Sequence, residues 1–254
     1  MVSKPSPDLT RDAFLGGRLT LWQPRQGYRA GVDPVLLAAS VPARAGQRVL
    51  ELGCGTGAAL LCLGARVPGL ALTGVELQPA YADLARRNAD DNGIAARIAC
   101  ADLRDLPGEL RDSYDHVLMN PPYFDRARGT GSRAADRDTA FGGDTPLADW
   151  IEVATRRLAP KGRLSVIQRI ERLPELLRAI DQRLGSIAVW PVAGRAGRPP
   201  GRILLSAIKG GRAPFVLAAP LILHDGPEHG RDSEDYTAEI RAVLRAGAAL
   251  GLNH

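Results

Sequence analysis

The sequence predicts an α/β protein whose mostly parallel β-sheet carries helices on both faces and an antiparallel hairpin at one edge. Three observations indicate this fold class. Short apolar runs alternate with helix-like segments through the centre of the chain, as in parallel strands joined by crossover helices. A glycine-rich turn directly follows the first of these runs. The last two runs are joined by a Gly/Pro/Arg loop that has no room for a helix, so they should pair as a hairpin.

Turn residues and apolar periodicity set the expected elements of the central region. Strands are predicted at 48–52, 70–76, 97–102, 114–120 and 163–168, and helices at 58–66, 79–92, 147–158 and 174–184. The helix at 79–92 should end at Asn92-Gly93, because asparagine and glycine commonly terminate helices. Pro160-Lys161-Gly162 should close the helix at 147–158 for a similar reason.

The carboxyl-terminal part differs in pattern from the centre. The hairpin strands are predicted at 187–192 and 203–208, followed by a short apolar extension at 215–223 and a final helix near 233–248. We expect residues 1–18 to form a flexible amino terminus and residues 19–254 to form one domain, with 211–254 as its carboxyl-terminal extension.

The segment Asn120-Pro121-Pro122-Tyr123 follows a predicted buried strand, and ligands bind at the carboxyl ends of strands in open α/β sheets. Proline lacks an N–H donor, so the carbonyl oxygens here should be free to face a ligand. The Asn120 amide oxygen and the Pro121 carbonyl would form a pair of acceptors suited to an exocyclic amino group, and Tyr123 could stack on the ring that bears it. A rigid turn that merely ends the strand is the competing interpretation.

The glycine-rich turn contains Gly53, Gly55 and Gly57 between a strand and a helix, where backbone can approach a ligand closely. Glu76 ends the next strand, where a carboxylate can accept hydrogen bonds from ribose hydroxyls. A nicotinamide dinucleotide would use the same two features. Three observations favour S-adenosylmethionine instead: Glu51 precedes the turn and could meet an ammonium group, the sheet ends in a hairpin, and hydride transfer has no use for an amine-binding tetrapeptide.

These motifs carry a resemblance to a known family. The order Glu51-Leu52-Gly53-Cys54-Gly55-Thr56-Gly57, Glu76, Asp102 and Asn120-Pro121-Pro122-Tyr123 resembles class I S-adenosylmethionine-dependent methyltransferases that act on amino groups. The segments 26–37, 203–205, 221–226 and 233–237 resemble the bacterial tRNA(Val) adenine N6-methyltransferases, which modify the adenine next to the anticodon. The resemblance covers roughly residues 19–250 and implies a Rossmann-like, seven-stranded methyltransferase sheet.

The resemblance also implies residue roles. Asn120, Pro121, Pro122 and Tyr123 would form the catalytic segment that holds adenine N6. Glu51 and the three glycines would bind the methionine end of S-adenosylmethionine, Glu76 the ribose hydroxyls and Asp102 the adenine amine. Arg29 and Asp33 could line the methionine pocket, although a surface arginine and a helix N-cap region explain them equally well.

Two arginine clusters are candidate RNA contacts. Net charge is +5, which is compatible with a polyanionic partner. Arg126, Arg128 and Arg133 follow the tetrapeptide, and Arg195 and Arg198 lie in the Gly/Pro/Arg loop. If both loops border the site, they could track the phosphates of a tRNA anticodon loop. Solvated loops in an arginine-rich protein are an equally good explanation.

The composition of the chain bears on its cellular location and on whether it binds a metal. A hydrophobic fraction of 45% is typical of a globular protein, no apolar run reaches membrane-spanning length, and the amino terminus lacks a signal-peptide layout. We therefore expect a cytoplasmic protein without a membrane partner. The three cysteines and four histidines show no metal-ligand spacing, so no metal is expected. The sequence does not indicate an oligomeric state.

Alternative functions stay open. A protein-glutamine N5-methyltransferase acting on release factors shares the tetrapeptide and its amide-binding chemistry, but usually carries a helical domain before the glycine loop. Only 50 residues precede Glu51 here, which disfavours this alternative. Another RNA adenine N6-methyltransferase, or a non-catalytic RNA-binding or cofactor-sensing protein, would share most of these motifs.

Overall fold

A computed structural model of the chain describes residues 8–122, 145–226 and 235–252. Its strands are β1 (Leu9–Phe14), β2 (Leu19–Pro24), β3 (Arg48–Leu52), β4 (Ala71–Glu76), β5 (Ala96–Cys100), β6 (Tyr114–Met119), β7 (Leu158–Arg169), β8 (Leu184–Ala193), β9 (Arg202–Lys209), β10 (Val216–Leu217) and β11 (Leu221–Ile222). Its helices are α1 (Val32–Ser40), α2 (Ala58–Arg66), α3 (Pro79–Asp91), α4 (Leu147–Arg157), α5 (Leu173–Ala179) and α6 (Ala238–Arg241), the last continued by a π-helical turn at Ala242–Ala246.

The central sheet has the strand order β10-β8-β9-β7-β6-β3-β4-β5. Strands β3 to β7 are parallel to their neighbours in this group, and β9 is antiparallel to both β7 and β8. The predicted fold class, a mostly parallel sheet with an antiparallel hairpin, is therefore confirmed. Among the described residues, however, the sheet has nine strands where seven are expected, and the hairpin is not its outermost part. The predicted extension at 215–223 adds β10 and β11, which both pair with β8 in parallel.

Both faces of the sheet are buried, which explains why its central strands are apolar. Successive residues of β6 point to opposite faces: Leu118 packs in one core with residues of α1, α2 and α3, and Val117 and Met119 pack in the other with residues of α4 and α5. Leu52 at the end of β3 pairs with Val75 of β4 and with Met119 of β6. The segments that follow these three strands consequently emerge side by side at one edge.

The amino terminus corrects one prediction. Residues 9–14 form β1, which pairs antiparallel with β2 from Leu9 opposite Pro24 to Phe14 opposite Leu19, where the sequence predicts a flexible segment up to residue 18. This hairpin is held by α3, because the Asn88 amide group exchanges hydrogen bonds with the backbone N–H and C=O of Trp22, at 2.7 and 3.1 Å. Only three of the six residues of β1 are apolar, and contacts with distant residues stabilise it, so the local sequence gives no clear strand pattern.

Three element boundaries also differ from prediction. Strand β7 begins at Leu158, and Pro160-Lys161-Gly162 forms an irregularity inside it, since Tyr114 pairs with Leu158 but His116 with Arg163. Helix α5 ends at Ala179 and β8 begins at Leu184, so the helix is shorter than expected. The described part of the final helix spans only Ala238–Arg241 and the π turn. Within the described ranges, none of the helices has the length and apolar character that crossing a bilayer requires.

Candidate functional site

The glycine turn between β3 and α2 adopts a backbone that favours glycine. Gly53, Gly55 and Gly57 have φ angles of 65°, 55° and 85°, in the left-handed region where side chains are strained. A Cβ atom at Gly53 would also lie 2.5 Å from Cη2 of Trp150, so a side chain cannot be accommodated there without movement. At Gly55, the nearest atom to such a Cβ would be Cε1 of Tyr28, at 3.5 Å.

Two buried carboxylates flank this turn. Glu51 is 3% exposed, and its Oε2 accepts a 2.9 Å hydrogen bond from the Leu60 amide at the start of α2. Burial, together with the nearby charge of Glu76, raises the pKa of Glu51 well above its usual range. Burial also raises the pKa of Glu76, although that carboxylate accepts 2.9 Å hydrogen bonds from the amides of Gly55 and Gln78. The pair therefore favours a cation beside it.

Asp102 follows β5 at the same edge and caps a short 3₁₀ helix, Leu103–Asp105. Its carboxylate accepts hydrogen bonds from the Arg104 amide at 2.9 Å and from the Arg104 guanidinium at 2.6 Å. The Arg104 guanidinium lowers the pKa of Asp102, which stays ionised near neutral pH. Its predicted contact with an adenine amine would use the lone pairs that Arg104 leaves free.

Asn120 follows β6 and presents its amide between two different environments. Its Nδ2 donates to the hydroxyl of Tyr28 over 3.4 Å. Its Oδ1 is buried and accepts no hydrogen bond from the described residues. A buried acceptor without a donor costs about 1–3 kcal/mol, so it marks a place where a donor from a ligand is stabilising.

The sequence predicts that the carbonyl oxygens of the two prolines are free, but in the structure each accepts a hydrogen bond from a side chain. Nε2 of Gln168, which is fully buried near the end of β7, donates to the Pro121 carbonyl over 3.1 Å. Nη1 of Arg172 donates to the Pro122 carbonyl over 3.0 Å. The Pro121 oxygen keeps a second lone pair for a ligand amine. Tyr123 lies outside the described residues.

Arg29 and Asp33 make contacts within the protein. The Arg29 guanidinium donates to Oδ2 of Asp12 at 2.6 Å and to Oγ1 of Thr10 at 2.8 Å, both on β1. Asp33, in the first turn of α1, accepts a 2.9 Å hydrogen bond from Nε of Arg202. These contacts tie the β1–β2 hairpin to the loop before α1, and they tie strand β9 to α1. Roles for both residues at the methionine end stay predictions.

The predicted RNA-contacting arginines fall into three groups. Arg126, Arg128 and Arg133 lie outside the described residues, and Arg198 is exposed. Arg195 is only 7% exposed, and its guanidinium pairs with Asp235 and donates to the carbonyls of Asp225 and Gly226. Burial and this pairing give Arg195 a structural role in place of the predicted phosphate contact.

Three residues of the site have no place in the sequence-based assignment: Tyr28, Gln168 and Arg172. Tyr28 lies in the loop before α1, and no spacing rule relates it to Asn120, 92 residues away. Gln168 could have been found from the sequence, because a glutamine at the end of an apolar strand is expected to be buried and therefore to need a hydrogen-bond partner. Across the described ranges, no cluster of three or more His, Cys, Asp or Glu residues could hold a metal ion.

Comparison with known proteins yields close relatives over nearly the full chain. Residues 49–135 match the family model described as a methyltransferase domain. The chain is 31% identical to a tRNA1(Val) (adenine(37)-N6)-methyltransferase of Dickeya chrysanthemi, covering 94% of this chain and 95% of that protein. It is also 31% identical to the protein of the same name from Porphyromonas gingivalis, over 93% and 99% of the two chains.

Solved structures share the same architecture. A predicted O-methyltransferase from Agrobacterium tumefaciens aligns with a TM-score of 0.70 and 27% identity, covering 87% of this chain and all of the other. A T. thermophilus 16S rRNA guanine N2-methyltransferase, solved with AdoMet and guanosine, aligns with a TM-score of 0.55 and 21% identity, over 81% and 51% of the two chains. At that identity the second likeness shows the fold alone.

Proposed function

Because the chain belongs to the tRNA1(Val) (adenine(37)-N6)-methyltransferase family, we propose that it transfers a methyl group from S-adenosylmethionine to N6 of adenine 37 in tRNA1(Val). The observation that carries this proposal is the buried Oδ1 of Asn120, which accepts no hydrogen bond from the described part of the chain. This acceptor lies at the carboxyl edge of the sheet, beside the glycine turn, where an amino group would supply the donor it lacks.

The carboxylates around the glycine turn fit S-adenosylmethionine. When bound, this cofactor supplies an electrophilic methyl group on a sulfonium. Glu51 would hold the ammonium group, because a cation compensates the burial that raises the pKa of this carboxylate. Glu76 would accept from the ribose hydroxyls with lone pairs not used by the Gly55 and Gln78 amides. Asp102 would accept from the adenine amine.

The protein's part in the reaction is to position and polarise the amine. The lone pair of adenine N6 is delocalised into the ring, which makes this nitrogen a weak nucleophile. Asn120 Oδ1 and the Pro121 carbonyl would accept its two N–H bonds and favour a pyramidal nitrogen with an available lone pair. No strong base is needed, because the proton can leave after the nitrogen has become cationic. Positioning and electrostatic preorganisation would supply most of the acceleration.

Recognition of the RNA would combine stacking with phosphate contacts. Tyr123 would stack on the extruded base, an interaction worth about 1–3 kcal/mol. An unpaired adenine in an anticodon loop costs less to extrude than one in a duplex. Arg198 is exposed in the loop between β8 and β9, and Arg126, Arg128 and Arg133 would complete the basic border. A cytoplasmic location is part of the same proposal.

A hydroxyl acceptor is less well suited to this site than an amino or amide group. The Agrobacterium relative is described as a predicted O-methyltransferase, but a hydroxyl offers one hydrogen where Asn120 Oδ1 and the Pro121 carbonyl offer two acceptors. A glutamine side-chain amide has two N–H bonds and would satisfy both, so a release factor is the substrate to test against tRNA.

The test compares defined acceptors under identical conditions. The enzyme is incubated with methyl-labelled S-adenosylmethionine and, separately, tRNA1(Val) transcript, the same transcript with guanine at position 37, ribosomal RNA and a release factor. We expect label only in the adenine-37 transcript, recovered as N6-methyladenosine by mass spectrometry. Equal labelling of the guanine-37 transcript, or preferential labelling of the release factor, would contradict the proposal.

A further inference from the structure

Tyr28 bridges the two halves of the candidate site. Its ring lies against the glycine turn, because a Cβ at Gly55 would be 3.5 Å from its Cε1. Its hydroxyl lies 3.4 Å from Nδ2 of Asn120, the residue that follows β6. Its backbone carbonyl accepts a 3.2 Å hydrogen bond from the Tyr81 hydroxyl of α3, which anchors the loop that carries it.

The environment of the Tyr28 hydroxyl keeps this group protonated. Tyr28 is 39% exposed over the whole residue, but its hydroxyl end is desolvated. That burial and the negative charges of Glu51 and Asp33 raise the pKa of Tyr28 above its usual value, so the phenol stays neutral. The oxygen of a neutral phenol has lone pairs that can accept a hydrogen bond, and Asn120 Nδ2 lies 3.4 Å away.

An asparagine amide can sit in either of two orientations, related by exchange of Oδ1 and Nδ2. If Nδ2 faced the substrate, two N–H donors would oppose each other and the amine could not be held. An acceptor on the far side of the amide selects the other orientation. In the described structure Nδ2 faces Tyr28 and Oδ1 is the atom left without a partner among the described residues.

We propose that Tyr28 is a positioning residue for methyl transfer: its hydroxyl accepts a hydrogen bond from Asn120 Nδ2 and so keeps Oδ1 directed at the substrate amine. The effect on rate rests on the proposed function, whereas the hydrogen bond itself does not. The separation of 3.4 Å is long for such a bond, and catalytic hydrogen bonds often shorten only in the complex with substrate.

Replacing Tyr28 by phenylalanine removes the hydroxyl and keeps the ring against Gly55. We expect Tyr28→Phe to slow single-turnover methyl transfer to tRNA1(Val) roughly tenfold at saturating cofactor and RNA, the effect of losing one neutral hydrogen bond. The dissociation constant for S-adenosylmethionine, measured by calorimetry, should change less than about twofold. Tyr114→Phe is the matched control, because Tyr114 is buried at the opposite end of β6 and should leave both values unchanged.

A spectroscopic readout separates this inference from the proposed function. In protein labelled with ¹⁵N at asparagine side chains, the Asn120 signals are identified by their absence from Asn120→Ala. Tyr28→Phe should shift these signals and speed their exchange with solvent, and Tyr114→Phe should not. If the wild-type chain methylates no tRNA but the signals respond, the positioning contact stands and the proposed function fails. Unchanged signals, a wild-type rate, or a loss confined to cofactor affinity would each overturn the role of Tyr28.

Discussion

The Gly55 amide donates a 2.9 Å hydrogen bond to Oε2 of Glu76, which joins the glycine turn after β3 to the end of β4. The other oxygen of the same carboxylate accepts from the Gln78 amide, also at 2.9 Å. Glu76 is buried, so both backbone donors depend on it for a partner. One side chain thus shapes the turn, and it is also the residue that we propose binds the ribose hydroxyls.

Substituting Glu76 by glutamine tests this double role. A glutamine has one acceptor oxygen, so its NH₂ group would face one of the two backbone donors and leave that N–H unsatisfied, at a cost of about 1–3 kcal/mol. We expect Glu76→Gln to lower the free energy of unfolding by that amount and to weaken S-adenosylmethionine binding at least about tenfold. Chemical denaturation and calorimetry measure the two effects.

The matched control is Glu109→Gln, since Glu109 makes an exposed ion pair with Arg97 and surface pairs contribute little. It should leave both quantities within error of the wild type. Cofactor affinity that survives in Glu76→Gln would show that Glu76 supports the turn without contacting the ribose.

The raised pKa of Glu51 predicts a pH dependence of stability. In the unfolded chain the pKa of a glutamate is about 4.3, whereas burial raises the pKa of Glu51 in the folded protein, so its carboxyl keeps the proton to a higher pH. Between the two pKa values the folded state binds the additional proton, so stability is fully present below the unfolded pKa and falls as pH rises. Glu51→Gln removes this titration and should gain thermal stability relative to wild type as pH increases.

Thermal unfolding of both proteins without cofactor, over a series of pH values, measures this difference. Glu76 titrates in both proteins, so its effect largely cancels. The ammonium group of S-adenosylmethionine should favour ionised Glu51, so binding should release protons from wild type and fewer from Glu51→Gln. Calorimetry in two buffers of different ionisation enthalpy gives the proton count. A stability difference that does not vary with pH would contradict the assignment.

The strands of the central sheet and the motifs at their ends follow from local sequence. Burial on both faces requires apolar strands, and the left-handed backbone of the turn after β3 requires glycine, so each leaves a local sequence pattern. Strand β3 and helix α2 have the predicted bounds, Arg48–Leu52 and Ala58–Arg66.

What the sequence does not reveal depends on contacts between distant residues. Strand β1 is held by β2, which in turn is hydrogen-bonded through Trp22 to Asn88, 66 residues away. The burial of Arg195 depends on its pairing with Asp235, 40 residues away. The sequence shows only the positive charge of Arg195, which by itself suggests a phosphate contact. The contact between Tyr28 and Asn120 joins two segments whose meeting is fixed only by the sheet.

The two arginines of the β8–β9 loop should behave differently when replaced by alanine. Arg195→Ala would leave Asp235 without its guanidinium partner in a largely buried pair, which costs about 3–5 kcal/mol of stability. Arg198→Ala should leave stability within about 0.5 kcal/mol of wild type, because Arg198 is exposed. If Arg198 contacts a phosphate, its loss should also reduce the slope of log affinity for tRNA against log salt by about 0.7–0.9.

Denaturation curves and tRNA binding at several salt concentrations separate these expectations. Each variant serves as the control for the other, since both remove one positive charge from the same loop. An unchanged salt slope in Arg198→Ala would exclude that residue as a phosphate contact.

Removing the Asn120 amide tests the proposed chemistry most directly. Asn120→Ala deletes the buried Oδ1 acceptor, and the loss of one preorganised hydrogen-bonding group in an active site typically lowers kcat by about 100- to 1,000-fold. Cofactor affinity should be nearly unchanged, because the predicted cofactor contacts come from Glu51, Glu76 and Asp102. Asn92→Ala is a suitable control, since Asn92 bonds the Thr20 backbone and should affect stability without affecting rate. A parallel loss of cofactor binding and methyl transfer in Asn120→Ala would instead make Asn120 a structural residue, because an acceptor that acts only on the substrate amine cannot alter the binding of the methyl donor.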